Sequence, residues 1–334
     1  MSEPLFERIA ILGLGLVGGS VAGAVRARGV AREVVGYARR SGPLARALER
    51  GLVDRVVDEV EGVAAAVEGA DLVILATPVS TMARVLEAAA ASLAAGTLVT
   101  DVGSVKGPLA ETLPGLLPSG TTFIGSHPMA GSHETGVEHA RASLLQDSCC
   151  VITPSVGAEP AQTARLARFW EALGARVVFR DPDAHDVEVG WVSHLPHMLA
   201  FAYARALAAA PEAAGELAGS GFRDFIRIAR SDSDLWGDIL GLNHKAMARP
   251  LAAFSEALAE LSRAIEADGP AGLAAREQIL EAAVRTLDAL APADRAAQTS
   301  AFVRPNDSAR SGGENPEIQA APRAAATRSK NRTS

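Results

Sequence analysis

The sequence is short of cysteine and of long apolar runs, and each shortage argues against a class of protein. The two cysteines, Cys149 and Cys150, are adjacent, so they cannot join distant parts of a fold. They are typical of a reduced, cytoplasmic protein. No apolar run reaches the roughly 18 residues that a spanning helix needs. Residues 1–8 also lack the basic and apolar regions of a secretory signal. We therefore expect a cytoplasmic protein that does not enter a membrane.

Excess basic charge and aromatic residues are also missing. The formal net charge is −7, so the chain has no basic footprint for nucleic acid and we expect no such partner. Aromatic residues make up only 4% of the chain, which predicts hydrophobic cores built from Ala, Leu and Val. With 334 residues, the chain is long enough for two domains.

What the sequence does contain begins with a glycine-rich turn between a predicted strand (residues 8–12) and a predicted helix (residues 20–28). Gly13 permits a tight turn, Gly15 lets the backbone approach a pyrophosphate, and Gly18 allows close packing of helix on strand. The helix N-terminus offers free N–H groups to phosphates. We therefore predict a dinucleotide site formed by Gly13, Leu14, Gly15, Leu16, Val17 and Gly18.

The second predicted strand, residues 33–37, ends where a site that prefers NAD+ usually carries an acid for the ribose 2′-hydroxyl. Here Ala38, Arg39 and Arg40 follow instead. Two guanidinium groups without an acid are compatible with a 2′-phosphate. Alternatively, the arginines simply begin the next helix and face water. The sequence therefore leaves both NAD+ and NADP+ open.

Strands continue to alternate with helices up to residue 180, which predicts an α/β fold with a mainly parallel, doubly wound sheet of the Rossmann type. We assign residues 1–180 to this dinucleotide-binding domain. The predicted strand at residues 72–76 ends at Thr77 and Pro78, which we expect to border the cofactor. Further strands are predicted at residues 98–101, 121–125, 148–153 and 176–179.

From residue 181 onward the pattern is helical. Asp181, Pro182 and Asp183 suit the first turn of a helix, and the Ala/Leu-rich segments that follow are apolar around much of their circumference. A monomer could not bury such helices, so we predict an all-helical domain for substrate binding and homodimerisation over residues 181–292. Residues 293–334 are rich in Ser, Arg and Asn, and we expect this tail to be disordered.

His127 lies in the segment of residues 125–131, after a predicted strand and before a proline. The residue before proline is extended, and ligands bind at the carboxyl ends of strands in open α/β sheets. An imidazole placed there titrates near neutral pH. Taken alone, the segment is slightly more typical of a histidine that holds a turn, but its position after a dinucleotide motif favours a catalytic role.

Further polar residues could share this region. Ser104 follows another predicted strand, and His194 and His197 share one face of a predicted helix. A metal is the alternative for this histidine pair, but no cysteine or carboxylate completes a set of ligands, so we predict no metal. Arg227 belongs to a charged run that is either an exposed face or a clamp for a substrate carboxylate.

These motifs together resemble the prephenate dehydrogenases, the TyrA family of tyrosine biosynthesis, whose close relatives are the arogenate and cyclohexadienyl dehydrogenases. The resemblance covers about residues 7–292 and rests on the joint order of segments 13–18, 101–106, 127–131, 193–197 and 221–236. It implies a homodimer and an oxidative decarboxylation. A hydride passes from C4 of the prephenate ring to NAD+ or NADP+, and the ring carboxylate leaves as carbon dioxide, which yields 4-hydroxyphenylpyruvate.

The resemblance also implies roles for the residues that face the reacting ring. His127 takes the proton of the C4 hydroxyl as a general base. Ser104 hydrogen-bonds both His127 and this hydroxyl, and Arg227 grips the ring carboxylate. His194 and His197 line the substrate pocket, with His197 in direct contact.

Three further positions are implied at the edge of the site. His185 and Asp186 match a pair that reaches the active site of the neighbouring subunit. Some members of the family carry a glutamate where this chain has His133. Without an acid there to attract an amino group, prephenate is favoured over arogenate. NAD+ is the usual cofactor of the family.

Two other interpretations fit the same general plan. One is an imine reductase or a β-hydroxyacid dehydrogenase, but such enzymes place a lysine or other proton donor on a helix of the second domain, and none fits as well as His127. The other is a nucleotide-sensing protein without chemistry, which would not need Ser104, His127 and Arg227 together.

Overall fold

The computed structural model describes residues 3–131 and 134–290 of the chain. Within these residues, eight strands form a single sheet: β1 (Phe6–Leu12), β2 (Ala31–Tyr37), β3 (Arg55–Val57), β4 (Leu72–Leu75), β5 (Leu98–Asp101), β6 (Thr122–Pro128), β7 (Cys149–Pro154) and β8 (Arg176–Phe179).

The strand order is β3-β2-β1-β4-β5-β6-β7-β8, and all neighbouring strands are parallel except β6 and β7. The prediction of a mainly parallel, doubly wound sheet is therefore confirmed. Strand β1 lies between β2 and β4, so the strand order reverses there. Ligands of open α/β sheets bind at such a switch point, beyond the carboxyl ends of the strands.

Helices cover both faces of the sheet. Ile9 and Ile11 of β1 belong to one hydrophobic core, whereas Ala10 and Leu12 belong to the other, because successive side chains of a strand point to opposite faces. Burial on both faces explains why the strand is apolar at every position from Ile9 to Leu12. The helices of this part are α1 (Leu16–Arg28), α2 (Ser41–Glu49), α3 (Val63–Val67), α4 (Val79–Ala90), α5 (Gly107–Thr112) and α6 (Pro160–Ala172).

Beyond β8 the described residues contain helices and no strand. The predicted helix start is confirmed, because the Asp181 carboxylate accepts hydrogen bonds from the backbone N–H groups of Asp183 (3.0 Å) and Ala184 (3.3 Å). The helices are α7 (Pro182–Val189), a π-helical turn (Gly190–His194), α8 (Leu195–Ala206), α9 (Ser220–Arg227), α10 (Ser233–Leu242), α11 (His244–Glu266) and α12 (Gly269–Leu290). Short 3-10 helices occupy Leu113–Leu116, Val137–His139, Ala142–Leu145, Leu207–Ala209, Glu212–Leu217 and Ile228–Arg230.

Two details of the sheet differ from the sequence prediction. His127 lies inside β6 and not past its end, because the antiparallel partner β7 pairs with residues 124–128 and places His127 opposite Val151. Strand β3 was not predicted. With only three residues, it is too short to show an alternating pattern.

The chain forms one compact unit up to Ala257, and a second begins at Leu258. The domain limits 1–180, 181–292 and 293–334 remain a prediction. His133 and residues 291–334 lie outside the described residues. Among the described helices, none is both long enough and apolar enough to cross a membrane.

Candidate active site

The glycine-rich turn follows β1 at the switch point of the sheet. Gly13 has a positive φ of 115°, and a Cβ added there would come within 2.5 Å of the Ala76 carbonyl oxygen. A Cβ at Gly18 would collide with the Gly13 carbonyl oxygen. A Cβ at Gly15, by contrast, would meet no protein atom within 4 Å. The fold therefore requires glycine at 13 and 18, whereas at 15 it leaves room for a ligand to approach the backbone.

The surroundings of Gly15 suit a dinucleotide. Gly15 is the N-cap of α1, which has no side-chain cap and no acid in its first turn, so the N–H groups of this turn can donate to phosphate oxygens. Thr77 follows β4, and its hydroxyl oxygen is buried without a hydrogen-bond partner in the described part of the chain. Pro78 begins α4 beside it. These groups fit the phosphate and nicotinamide side of such a cofactor.

The end of β2 carries both signs of charge. Arg39 and Arg40 are exposed just beyond it. Burial raises the pKa of Tyr37, and the nearby carboxylates of Glu59 and Asp58 raise it further, against the opposing charge of Arg39. Acids do therefore lie near the end of β2, but they follow β3. Sequence reasoning missed them because it did not predict that strand.

His127 is buried in β6 and contacts a second histidine. Its Nδ1 lies 2.9 Å from Nε2 of His185, and the two rings meet edge to face. Burial lowers the pKa of His127 well below its ordinary value, and the positive charge of the neighbouring Lys106 lowers it further. The imidazole is therefore neutral at neutral pH and can accept a proton.

His185 is in turn held by Asp186. Its Nδ1 lies 2.8 Å from Asp186 Oδ1, and the same carboxylate accepts backbone hydrogen bonds from Lys106 (2.7 Å) and Gly107 (2.8 Å). Both side chains are buried, and both contact the His127 region of their own chain. The resemblance implied that His185 and Asp186 reach the neighbouring subunit. Within this chain they lie behind His127, and their reach to a neighbouring subunit stays a prediction.

A buried ion pair lies next to His127. The Lys106 ammonium donates to the Asp101 carboxylate and to the Ser126 carbonyl oxygen, the latter at 2.9 Å. Both ionic side chains are fully buried. Burial lowers the pKa of Lys106, and the charge of Asp101 opposes this shift. The pair ties the end of β5 to β6 and so holds the backbone beside His127.

His194 and His197 both lie against Trp236. The ring of His197 stacks on the indole with centroids 3.8 Å apart, and that of His194 meets it edge-on at 5.9 Å. His194 Nδ1 lies 2.9 Å from the side-chain amide nitrogen of Asn243. Nε2 of His194 is buried and has no hydrogen-bond partner among the described residues. Burial lowers the pKa of His194 to about 4.

Arg227 ends α9 and is exposed. Burial lowers the pKa of His197, and the positive charge of Arg227 contributes to this shift, so the guanidinium is near enough to act on His197. The sequence therefore identified a cation near the histidine pair. It gave no signal for Asn243, a lone amide that the structure places between α10 and α11.

Two predicted residues are not joined to this cluster. Ser104 follows β5 and is half-buried, but among the described residues no hydrogen bond links it to His127, whose Nδ1 faces His185. His133 is outside the described residues. In the same part of the chain, no group of His, Cys, Asp or Glu is arranged to hold a metal ion.

Two family models match consecutive parts of the chain. The model described as prephenate dehydrogenase, nucleotide-binding domain, matches residues 21–179. The model described as prephenate dehydrogenase, dimerization domain, matches residues 181–278. The chain is also 33% identical over 265 residues to a cyclohexadienyl dehydrogenase of Zymomonas mobilis, a match that covers 78% of this chain and 89% of that protein.

Two solved structures share the fold at 30% sequence identity. A prephenate dehydrogenase of Aquifex aeolicus, in complex with hydroxyphenyl propionate and NAD+, gives a TM-score of 0.75 over 84% of this chain and 96% of the other. An arogenate dehydrogenase of Synechocystis gives 0.71 over 85% and 99%. The three relatives carry three different substrate names, so the comparisons support one type of reaction and leave the substrate open.

Proposed function

This chain belongs to the prephenate dehydrogenase family, and on that premise we propose that it converts prephenate to 4-hydroxyphenylpyruvate with a nicotinamide dinucleotide. The family is one of NAD-dependent oxidoreductases, which sets aside a nucleotide sensor without chemistry. The observation that carries the proposal is His127, a buried and neutral imidazole on the sheet that also presents the dinucleotide turn.

The proposed reaction uses the site as follows. The bound dinucleotide supplies the hydride acceptor. His127 takes the proton of the C4 hydroxyl while the C4–H electron pair leaves as hydride, which is general base catalysis. The bond between the ring and its carboxylate then breaks and carbon dioxide departs. The bond electrons complete the aromatic ring and pass to the C4 oxygen, which takes the proton back from His127 and becomes the phenol hydroxyl. Holding the reactants in register provides a large part of the rate.

Arg227 is the proposed partner of the ring carboxylate, because guanidinium binds carboxylate through two parallel hydrogen bonds. Its location beside His197 supports this role. His194 and His197 would line the pocket against Trp236. Ser104 would join the C4 hydroxyl and the free Nε2 of His127 once substrate is bound.

Prephenate is the proposed substrate in preference to arogenate. The support is the residue at 133, where this chain carries histidine and not the acid that an amino group would attract. For the cofactor, we propose that both NAD+ and NADP+ are accepted. Arg39 and Arg40 offer cations to a 2′-phosphate, whereas Asp58 and Glu59 offer acceptors to a 2′-hydroxyl.

A homodimer is the proposed assembly. The match to a dimerization domain supports it, and so do large apolar side chains that are exposed in the single chain. In the described residues from 258 onward these are Leu258, Ile265, Leu273, Leu280, Val284, Leu287 and Leu290. A reducing, cytoplasmic setting is also proposed, because Cys149 and Cys150 are both free thiols.

An assay of prephenate and arogenate against NAD+ and NADP+ tests the proposal in four combinations. We expect reduction of both cofactors with prephenate, release of carbon dioxide, and 4-hydroxyphenylpyruvate as product. Arogenate should react more slowly. Faster turnover of arogenate would contradict the proposed substrate, and failure of all four combinations would contradict the proposed activity.

A further inference from the structure

We propose that Asp186 and Asn243 are positioning residues that fix opposite tautomers in two histidines. The network makes Nε2 of His127 a proton acceptor and Nε2 of His194 a hydrogen-bond donor. Their relevance to catalysis rests on the function proposed above. The tautomers themselves follow from hydrogen-bond chemistry and can be measured without substrate.

The direction of the network starts at the Asp186 carboxylate. Its oxygens accept the backbone N–H groups of Lys106 and Gly107, which are donors and nothing else. An ionised carboxylate has no proton to donate, so it can only accept hydrogen bonds. His185 Nδ1, 2.8 Å from Asp186 Oδ1, must therefore carry the proton and donate it.

With His185 neutral, that first bond determines the next one. A neutral imidazole with a proton on Nδ1 has a lone pair on Nε2. Nε2 of His185 therefore accepts, and Nδ1 of His127, 2.9 Å away, must donate. Since His127 is neutral, its remaining nitrogen, Nε2, carries the lone pair. In the opposite tautomer both facing nitrogens would hold lone pairs, and this contact would be repulsive.

The second branch starts at the backbone of the same residue. The Asp186 carbonyl oxygen can only accept, so the side-chain nitrogen and not the oxygen of Asn243 must face it, at 2.9 Å. The same –NH₂ group has a second hydrogen, which it donates to His194 Nδ1, also at 2.9 Å. His194 then carries its proton on Nε2, the buried atom without a described partner.

The result is a pair of buried imidazoles with complementary functions. One presents an acceptor and the other a donor, and neither can exchange its role without breaking its bond to His185 or to Asn243. A hydroxyl that gives up its proton needs an acceptor for the proton and a donor for the oxygen that remains. The network prepares both before substrate arrives, and such preorganisation avoids a reorganisation cost during the reaction.

Nitrogen NMR of protein labelled with ¹⁵N histidine tests the proposal in the enzyme without ligand. The chain has only seven histidines, and protonated and unprotonated ring nitrogens resonate in separate regions. At neutral pH we expect His127 and His185 to be protonated on Nδ1 and His194 on Nε2. A proton on Nε2 of His127 or on Nδ1 of His194 would overturn the proposal.

Two substitutions separate the branches. His185→Phe keeps an aromatic ring but removes both nitrogens, and it should release the tautomer of His127 while leaving that of His194 unchanged. Asn243→Leu should release the tautomer of His194 and leave that of His127 unchanged. His185→Phe should also lower kcat roughly 10- to 100-fold with KM for prephenate within about twofold, because the base remains but is no longer oriented.

His139→Gln is the matched control, because it removes an exposed histidine outside the cluster. It should leave both tautomers and kcat unchanged. A merely structural role for His185 would lower stability without moving the tautomer of His127, and that result would overturn the proposal. If a variant fails to fold, the wild-type spectrum decides.

The outcome is distinguishable from failure of the proposed function. If the tautomers are as expected but the enzyme turns over neither prephenate nor arogenate, the proposed hydrogen-bond network is supported and the proposed function is contradicted. If the enzyme turns over prephenate but its His127 is protonated on Nε2, the proposed function is supported and the proposed network is contradicted.

Discussion

Nδ1 of His127 lies 2.9 Å from Nε2 of His185, across 58 positions of sequence. This contact joins β6 of the sheet to α7 of the helical region within one chain. The proposed general base is therefore oriented by a residue of the helical region, whereas the turn that suits the cofactor belongs to the sheet. Loss of the contact would leave His127 in place on its strand but free to turn about its side-chain bonds.

Removal of the Arg227 guanidinium should weaken substrate binding more than it slows the chemical step. We expect Arg227→Ala to raise KM for prephenate about tenfold or more, the effect of one lost charge-assisted pair. Arg84→Ala is the control, because Arg84 is exposed on α4 of the sheet region. Steady-state kinetics measure both. A KM equal to that of the control would remove Arg227 as the carboxylate clamp.

The two arginines after β2 should act on NADP+ selectively. Replacing Arg39 and Arg40 together by serine is expected to lower kcat/KM for NADP+ about tenfold or more, with less than about threefold change for NAD+. Arg32→Ser is matched to it, since Arg32 is an exposed arginine on the same strand, paired with Glu7. Equal losses for the two cofactors would show that the arginines do not contact the 2′-phosphate.

Substitutions at two glycines of the dinucleotide turn should affect cofactor binding and protein stability separately. Gly15→Ala meets no protein atom, so Tm should stay within about 2 °C while KM for the cofactor rises about tenfold. Gly18→Ala, which collides with the Gly13 carbonyl oxygen, should lower the free energy of unfolding by roughly 1–3 kcal/mol. Thermal unfolding and cofactor titration distinguish them. A normal cofactor KM in Gly15→Ala would place the phosphates elsewhere.

Burial of neutral His194 should make stability depend on pH. Its pKa falls from 6.5 to about 4 on folding, so between these values the unfolded chain binds a proton that the folded chain refuses. The free energy of unfolding should therefore decrease as pH falls through this range, by roughly 3 kcal/mol from this residue at its lower end.

His194→Gln keeps an acceptor for Asn243 but does not titrate, so its unfolding free energy should depend less steeply on pH. Urea unfolding at a fixed protein concentration, repeated across the acid range, measures the difference. Identical pH dependence in this variant and the wild type would show that His194 is not held neutral by burial.

Local patterns explain what could be predicted from the sequence. The strand of residues 8–12, the turn from Gly13 to Gly18 and the helix start at Asp181 each depend on neighbours within a few positions. The dinucleotide turn and the doubly wound sheet followed from them. His127 was predicted as a site residue because a proline, a strand and a dinucleotide motif surround it along the chain, and its role stays a prediction.

The features that could not be predicted from the sequence depend on contacts between elements that are distant along the chain. Asn243 lies 57 positions from Asp186, and no periodic pattern marks an amide that bridges two helices. The pairing of His185 with His127 depends on how α7 crosses the sheet. Asp58 and Glu59 reach the end of β2 only because β3 pairs beside it, opposite Tyr37. These relationships are set by packing, which a single sequence does not display.

The central claim is that His127 accepts the proton during hydride transfer, and single turnover of prephenate by His127→Asn tests it most directly. Asparagine keeps a polar group near the position of Nδ1 but has no base at that of Nε2. The account predicts a rate of cofactor reduction roughly 100- to 10,000-fold below that of the wild type, with substrate affinity within about threefold. A single-turnover rate equal to that of the wild type would contradict it.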